Sequence, residues 1–149
     1  MDGSDMAARR RWMAVLARAS AADIAACMGA LPAPPRHVRL RGPETGLVMV
    51  RGRAGGDGAP FNLGEMTVTR CAVRLADGRV GHAYCAGRDA RQAELAALVD
   101  ALLLDADGRG AVEAAVIAPL ARAQAARRET EARRAAATRV QFFTMTQMR

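Results

Sequence analysis

Residues 65–86 read EMTVTRCAVRLADGRVGHAYCA, and the architecture follows from them. Asp77-Gly78 between two β-rich runs is the strongest short-range hairpin signal a sequence offers. Taking Asp77 and Gly78 as the two loop residues sets Ala76 opposite Arg79. The ladder then pairs Leu75 with Val80, Val73 with His82 and Cys71 with Tyr84. Those six side chains would form the core face, leaving Arg70, Arg74 and Arg79 on the other. His82 then reads as a core histidine with one satisfied nitrogen, and Cys71 and Cys85 as buried small hydrophobes on opposite faces. Met66 and Val68 have the opposite parity from Cys71 and Val73; a bulge near Thr69–Arg70 would reconcile the halves, although the sequence alone does not require one.

Upstream, Val38 to Arg41 and Leu47 to Arg53 read as strands separated by Gly42-Pro43-Glu44-Thr45-Gly46, which is turn chemistry. Before them, Trp12, Val15, Leu16 and Ala19 line one helix face. Ser20 caps a second helix, with Asp23 near its positive end and Ile24, Cys27, Met28 and Leu31 on one side. Pro32, Pro34 and Pro35 make an extended linker. Downstream, Asp89 and Gln92 resemble a capping box opening a helix whose stripe is Leu95, Leu98, Val99 and Leu102. A further helix begins near Ala111 with Val112, Val116 and Leu120, and Pro119 should kink or restart it. From Ala121 to Thr138 nothing larger than alanine forms a stripe, apart from one Glu129–Arg133 pair at i,i+4. The expected fold is α+β in a single domain: helices over 1–31, a small antiparallel sheet with the Asp-Gly hairpin over 37–86, helices over 89–138. Residues 139–149 form a terminal extended segment that needs a partner, since Phe142, Phe143 and Met145 are wasted on solvent.

The chain has 149 residues, a formal charge of +7, and 22 basic residues that are all arginine. Such a charge suggests anionic partners, but the complete absence of lysine marks a compositional bias and weakens that inference. The aromatics are Trp12, Phe61, Tyr84, Phe142 and Phe143, too few for the stacking platform of a single-strand nucleic-acid binder. Three cysteines without a C-x-x-C pair and two histidines give no metal-ligand spacing. Reduced thiols, no signal-peptide pattern and no membrane-length apolar run point to a cytoplasmic protein without a membrane.

Two places are suited to anions. Arg53, Gly55, Gly56 and Gly58, with Arg51, lie in a glycine-rich connection whose amides can wrap an anion, although the spacing alone favours a plain long hairpin link. It lacks the lysine and helix of a Walker A loop. Arg88, in Gly87-Arg88-Asp89, stands at a strand-to-helix junction, and Arg70 faces away from the core. No acid–base pair, nucleophile with a base, or metal set emerges. Two alternatives therefore stay open: a basic nucleic-acid-binding domain and a stand-alone ATP-dependent transferase.

Six stretches in order carry a resemblance. They are Arg11-Trp12-Met13 with Val15-Leu16-Ala17, and Glu44-Thr45-Gly46-Leu47 with Arg53, Gly55, Gly56 and Gly58. Then come Thr69-Arg70, Ala72 to Leu75 and Asp77-Gly78, followed by Gly87-Arg88-Asp89, Ala118-Pro119-Leu120 and Phe142-Phe143-Thr144-Met145. Over about Arg10 to Met145 the chain resembles the PhnG family, the G subunits of carbon–phosphorus lyase systems. The resemblance implies a non-autonomous subunit of a core complex with H, I and J subunits, joined by an L subunit. That complex transfers the ribose 5-triphosphate moiety of MgATP to an alkylphosphonate and releases adenine. The resemblance implies no catalytic residue and no cofactor held by this chain alone, with MgATP the substrate of the complex. Set beside it, the reading of the residues makes Arg53, Gly55, Gly56, Gly58, Arg70 and Arg88 the anion- or triphosphate-facing candidates, and Phe142, Phe143 and Met145 the candidate subunit contacts.

Overall fold

A computed structural model describes residues 3–55 and 57–139, with side chains from Asp5 onward. Gly56 and the terminal segment with Phe142, Phe143 and Met145 lie outside the described residues. The order is α1 (Gly3–Leu16), α2 (Ala21–Met28), β1 (His37–Arg53), β2 (Pro60–Leu75), β3 (Val80–Ala86), α3 (Ala90–Leu103), α4 (Arg109–Val112), a π turn (Glu113–Ile117) and α5 (Ala118–Ala137). The strands form one antiparallel sheet in the order β1-β2-β3. Helix α3 lies on one face of that sheet, with α1 and α2 packed against α3 in turn. The α+β class expected from the sequence is the one observed.

The Asp-Gly hairpin forms, one residue out of the expected register. Arg74 pairs with Val80, Val73 with Gly81, Ala72 with His82 and Cys71 with Ala83. The loop holds three residues, Ala76, Asp77 and Gly78. Gly78 N–H donates to Leu75 O at 3.0 Å and Leu75 N–H to Arg79 O at 2.9 Å. A two-residue turn of the usual kind needs positive φ at both central positions. Here only Gly78 supplies it, at +93°, and no described non-glycine residue has positive φ. Asp77 instead uses its Oδ1 to accept Arg79 N–H at 3.0 Å. Because side chains alternate along a strand, the one-residue slip turns β3 over. Gly81, Ala83 and Cys85 join Cys71, Val73 and Leu75 in the core, while His82 and Tyr84 point outward. The core-histidine reading and the placement of Cys71 and Cys85 on opposite faces are thereby corrected.

Gly42-Pro43-Glu44-Thr45-Gly46 is not a turn but part of one 17-residue strand. From Arg39 to Glu44 β1 advances five positions while β2, from Val73 to Arg70, advances three. The bulge placed near Thr69–Arg70 is not found in β2, which keeps an unbroken register with β3 there; the extra residues lie on β1 instead. Pro43 is tolerated because β1 is an edge strand and needs no donor on its open side.

Gly81 is where sheet and helix come closest. A Cβ there would stand 2.0 Å from Ala97 O and 2.5 Å from Ala101 N. The alanines of α3 serve this approach: Ala93, Ala96, Ala97 and Ala101 are buried, whereas Leu95 and Leu102 of the expected stripe are only half-buried. Ser20 caps α2, its Oγ accepting Asp23 N–H at 3.0 Å. Asp89 caps α3 by accepting Gln92 N–H at 2.9 Å. The Gln92 side chain, however, reaches away from the box and donates to Leu16 O and Ala17 O at the end of α1. Pro119 has no N–H for the preceding turn, and the chain relaxes into the π turn before resuming as α5. Beyond Gln124, α5 is exposed all round, and Glu129 and Arg133 pair at 3.0 Å.

Candidate functional site

Strand β3 ends at Ala86, opposite Val68. Past that point β1 and β2 continue alone, paired from Leu47 with Thr67 to Arg53 with Pro60, as a two-stranded arm roughly 20 Å long. Leu47 and Met49 share one face with Thr67 and Glu65; Val48, Met66, Gly52 and Phe61 lie on the other. Leu63 is the extra residue where the register shifts, and it lies over Gly52, whose absent Cβ would meet it at 3.7 Å. Leu47, Met49, Phe61 and Leu63 are 63, 52, 44 and 66 % exposed. At the tip, Gly55 adopts φ +63°, Gly58 N–H donates to Ala54 O at 3.1 Å, and Arg53 donates to Gly58 O at 3.1 Å.

At the root of the arm, Thr69 is fully buried. Its Oγ1 donates to Gly87 O at 2.8 Å and lies 3.1 Å from Thr45 Oγ1, joining β1, β2 and the β3–α3 turn. On the outer face Arg70 pairs with Glu44 at 3.1 Å, and Arg41 stands 3.9 Å from the same carboxylate. Tyr84 and His82 lie beside them, both exposed. Arg88 is exposed between Gly87, at φ +92°, and the capping Asp89. The anion-facing candidates therefore occupy separate stations. Arg53, Gly55 and Gly58 are at the tip, and Arg70 is ten residues along β2 from Pro60, roughly 30 Å away. Arg88 is at the root. A single triphosphate cannot touch all of them.

The polar group most deeply engaged went unnoticed in the sequence. Asp100, buried in the last turn of α3, accepts Arg9 Nε at 3.2 Å and a terminal Arg9 nitrogen at 2.7 Å. It also accepts Trp12 Nε1 at 2.8 Å and His82 N–H at 2.9 Å. The last of these occupies a backbone donor of β3, an edge strand. Arg109 stacks over the Trp12 ring, 5.5 Å from its centroid, and donates to Asp5 at 2.8 Å and Leu103 O at 2.9 Å. An aspartate inside Leu98-Val99-Asp100-Ala101-Leu102 was the available signal, since a carboxylate in an apolar run must find donors. These bonds lock α1 to α3 and β3. No group of three His, Cys, Asp or Glu among the described residues is placed to hold a metal, and no described helix is long and apolar enough to cross a membrane.

A family model for the phosphonate metabolism protein PhnG matches residues 7–147. The chain belongs to the PhnG family. It is 49% identical, over 148 residues, to the alpha-D-ribose 1-methylphosphonate 5-triphosphate synthase subunit PhnG of Rhizobium meliloti (strain 1021), covering 97% of this chain and 92% of that one. In this PhnG-family chain, much of what carried the resemblance is structural. Trp12 binds Asp100, Arg70 binds Glu44, Thr69 ties the root of the arm, Gly78 closes the hairpin, and Asp89 caps α3.

Proposed function

We propose that the chain acts as the G subunit of a carbon–phosphorus lyase core complex in phosphonate catabolism. In that complex it is required for transfer of the ribose 5-triphosphate moiety of MgATP to an alkylphosphonate. A phosphonate oxygen forms a bond to the ribose anomeric carbon, the bond from that carbon to adenine breaks, and adenine leaves with a proton. The carrying observation is 49% identity, over nearly the whole length, to a relative named as a subunit of the corresponding synthase. The role proposed is that of a scaffold completing a site housed with its companions, the H, I and J core subunits and the L subunit. MgATP as the substrate of the complex goes with a cytoplasmic location.

Within this reading, Arg70 and Arg88 near the root are the residues proposed to face the triphosphate. Arg53 with Gly55 and Gly58 at the tip, together with Gly56, forms a scaffold contact, and Phe142, Phe143 and Met145 anchor the terminus to a neighbouring subunit. The deciding experiment is co-expression with the companion subunits, purification through a tag on one of them, and assay of adenine release from MgATP and methylphosphonate. Stoichiometric recovery of this chain, and loss of adenine release when it is left out, is the expected result. Recovery of active complex without it overturns the reading. Deleting residues 140–149 should lower recovery, and Arg70→Ala with Arg88→Ala should raise KM for MgATP while leaving assembly intact.

A further inference from the structure

We infer that the two-stranded arm, Leu47–Arg53 with Pro60–Thr67, is inserted into a cleft of a different subunit that grips it on both faces; the inference rests on the subunit role proposed above. An isolated two-stranded hairpin is marginal in water, and apolar side chains scattered singly over a surface need no explanation, whereas a cluster does. Leu47, Met49, Phe61, Leu63 and Met66 are all exposed on this one arm. The three-stranded body stops at Val68 and Ala86, so neither strand of the arm has a second neighbour to shield its edge.

The distribution of those side chains selects the occupant. Leu47 and Met49 project from one face, and Met66 and Phe61 from the other, with Leu63 lying over Gly52 beside Phe61. A two-fold contact with a second copy joins one patch to itself and leaves the opposite face wet. A cleft in another chain covers both. The tip specifies its inner end. Arg51 and Arg53 share a face and have Asn62 and Pro60 as cross-strand partners, and neither is in an ion pair among the described residues. The cleft therefore presents apolar walls and, at its inner end, carboxylates or backbone carbonyls.

The test uses the co-expressed complex. Leu63→Asp and, separately, Phe61→Ser are compared with wild type for co-purification with the companion subunits. The fluorescence of Trp12, buried in the helical layer, reports that each variant is folded. Folded variants should bind at least about thirtyfold more weakly, and backbone amides of 47–53 and 60–67 should exchange more slowly in the wild-type complex than in the free chain. The exchange measurement decides the matter even if a variant fails to fold. Folded variants that assemble normally, or arm amides equally labile in both states, overturn the arm proposal while leaving the subunit role standing. A free wild-type chain that dimerises through the arm overturns it in favour of a second copy. A wild-type chain that joins no companion overturns both.

Discussion

Asp100 shows how much one side chain organises. Its two oxygens accept from Arg9, Trp12 and the His82 backbone, so replacing it strands donors on α1 and β3 at once. Asp100→Ala should destabilise the fold by about 3–5 kcal/mol, read from the urea midpoint at constant slope. Asp100 was also the hardest feature to find beforehand. An acidic residue within a helix stripe shows where donors must converge but not from which segments, and Arg9 lies 91 positions away. Glu94 carries a pH signature. The Arg39 guanidinium, aided by His37 and opposed by partial burial, holds its carboxyl below the ordinary value of 4.5. A depressed carboxylate stabilises the fold fully above its unfolded value, and that contribution fades as pH falls through the folded one. Wild type should therefore lose stability on acidification below about pH 4.5, and Glu94→Gln, less stable at neutrality, should lose less over the same interval. Urea midpoints between about pH 3 and pH 7 check this.

At the level of elements, the contact between β3 and α3 sets the spacing of the layers. Gly81→Ala places a methyl 2.0 Å from Ala97 O, and the backbone cannot yield without parting strand from helix. The cost should reach about 2–3 kcal/mol, measured by thermal or urea unfolding, while Gly46→Ala, which meets nothing within 4 Å, serves as the quiet control. The element order, both helix caps and the hairpin were legible because each rests on local chemistry: Ser20, Asp89 and Gly78 act on residues within four positions. The hairpin register was not, since Asp77-Gly78 is compatible with two- and three-residue loops and only the φ available to Asp77 separates them. Nor was the continuity of β1. Gly42 and Pro43 are turn residues that an edge strand with bulges also accepts. For the site, the sequence marked the arginines and glycines of the arm but not their separation, which depends on strand length and on where β3 stops.

For the molecule as a whole, the three thiols report how the layers hold together. Burial pushes Cys85 up to about 11 and raises Cys71, and both lie in the core against α3. Burial also raises Cys27, but it is less enclosed, on α2. Iodoacetamide at neutral pH should label Cys27 first, and label Cys71 and Cys85 together, only as fast as the sheet parts from α3. Mass spectrometry across a time course resolves the two classes, and independent labelling of Cys71 would contradict the picture. The bonds that hold α1 and α2 have a bearing on biosynthesis. Gln124 reaches Val15 O and Arg127 reaches Asp23, partners 109 and 104 positions apart, whereas the β1–β2 ribbon closes on itself within a few residues. On the ribosome both strands of the ribbon emerge ahead of α3 and α5, and α1 waits in the open until those helices follow. The greasy ribbon is thus on display to companion chains well before the body that carries it has closed.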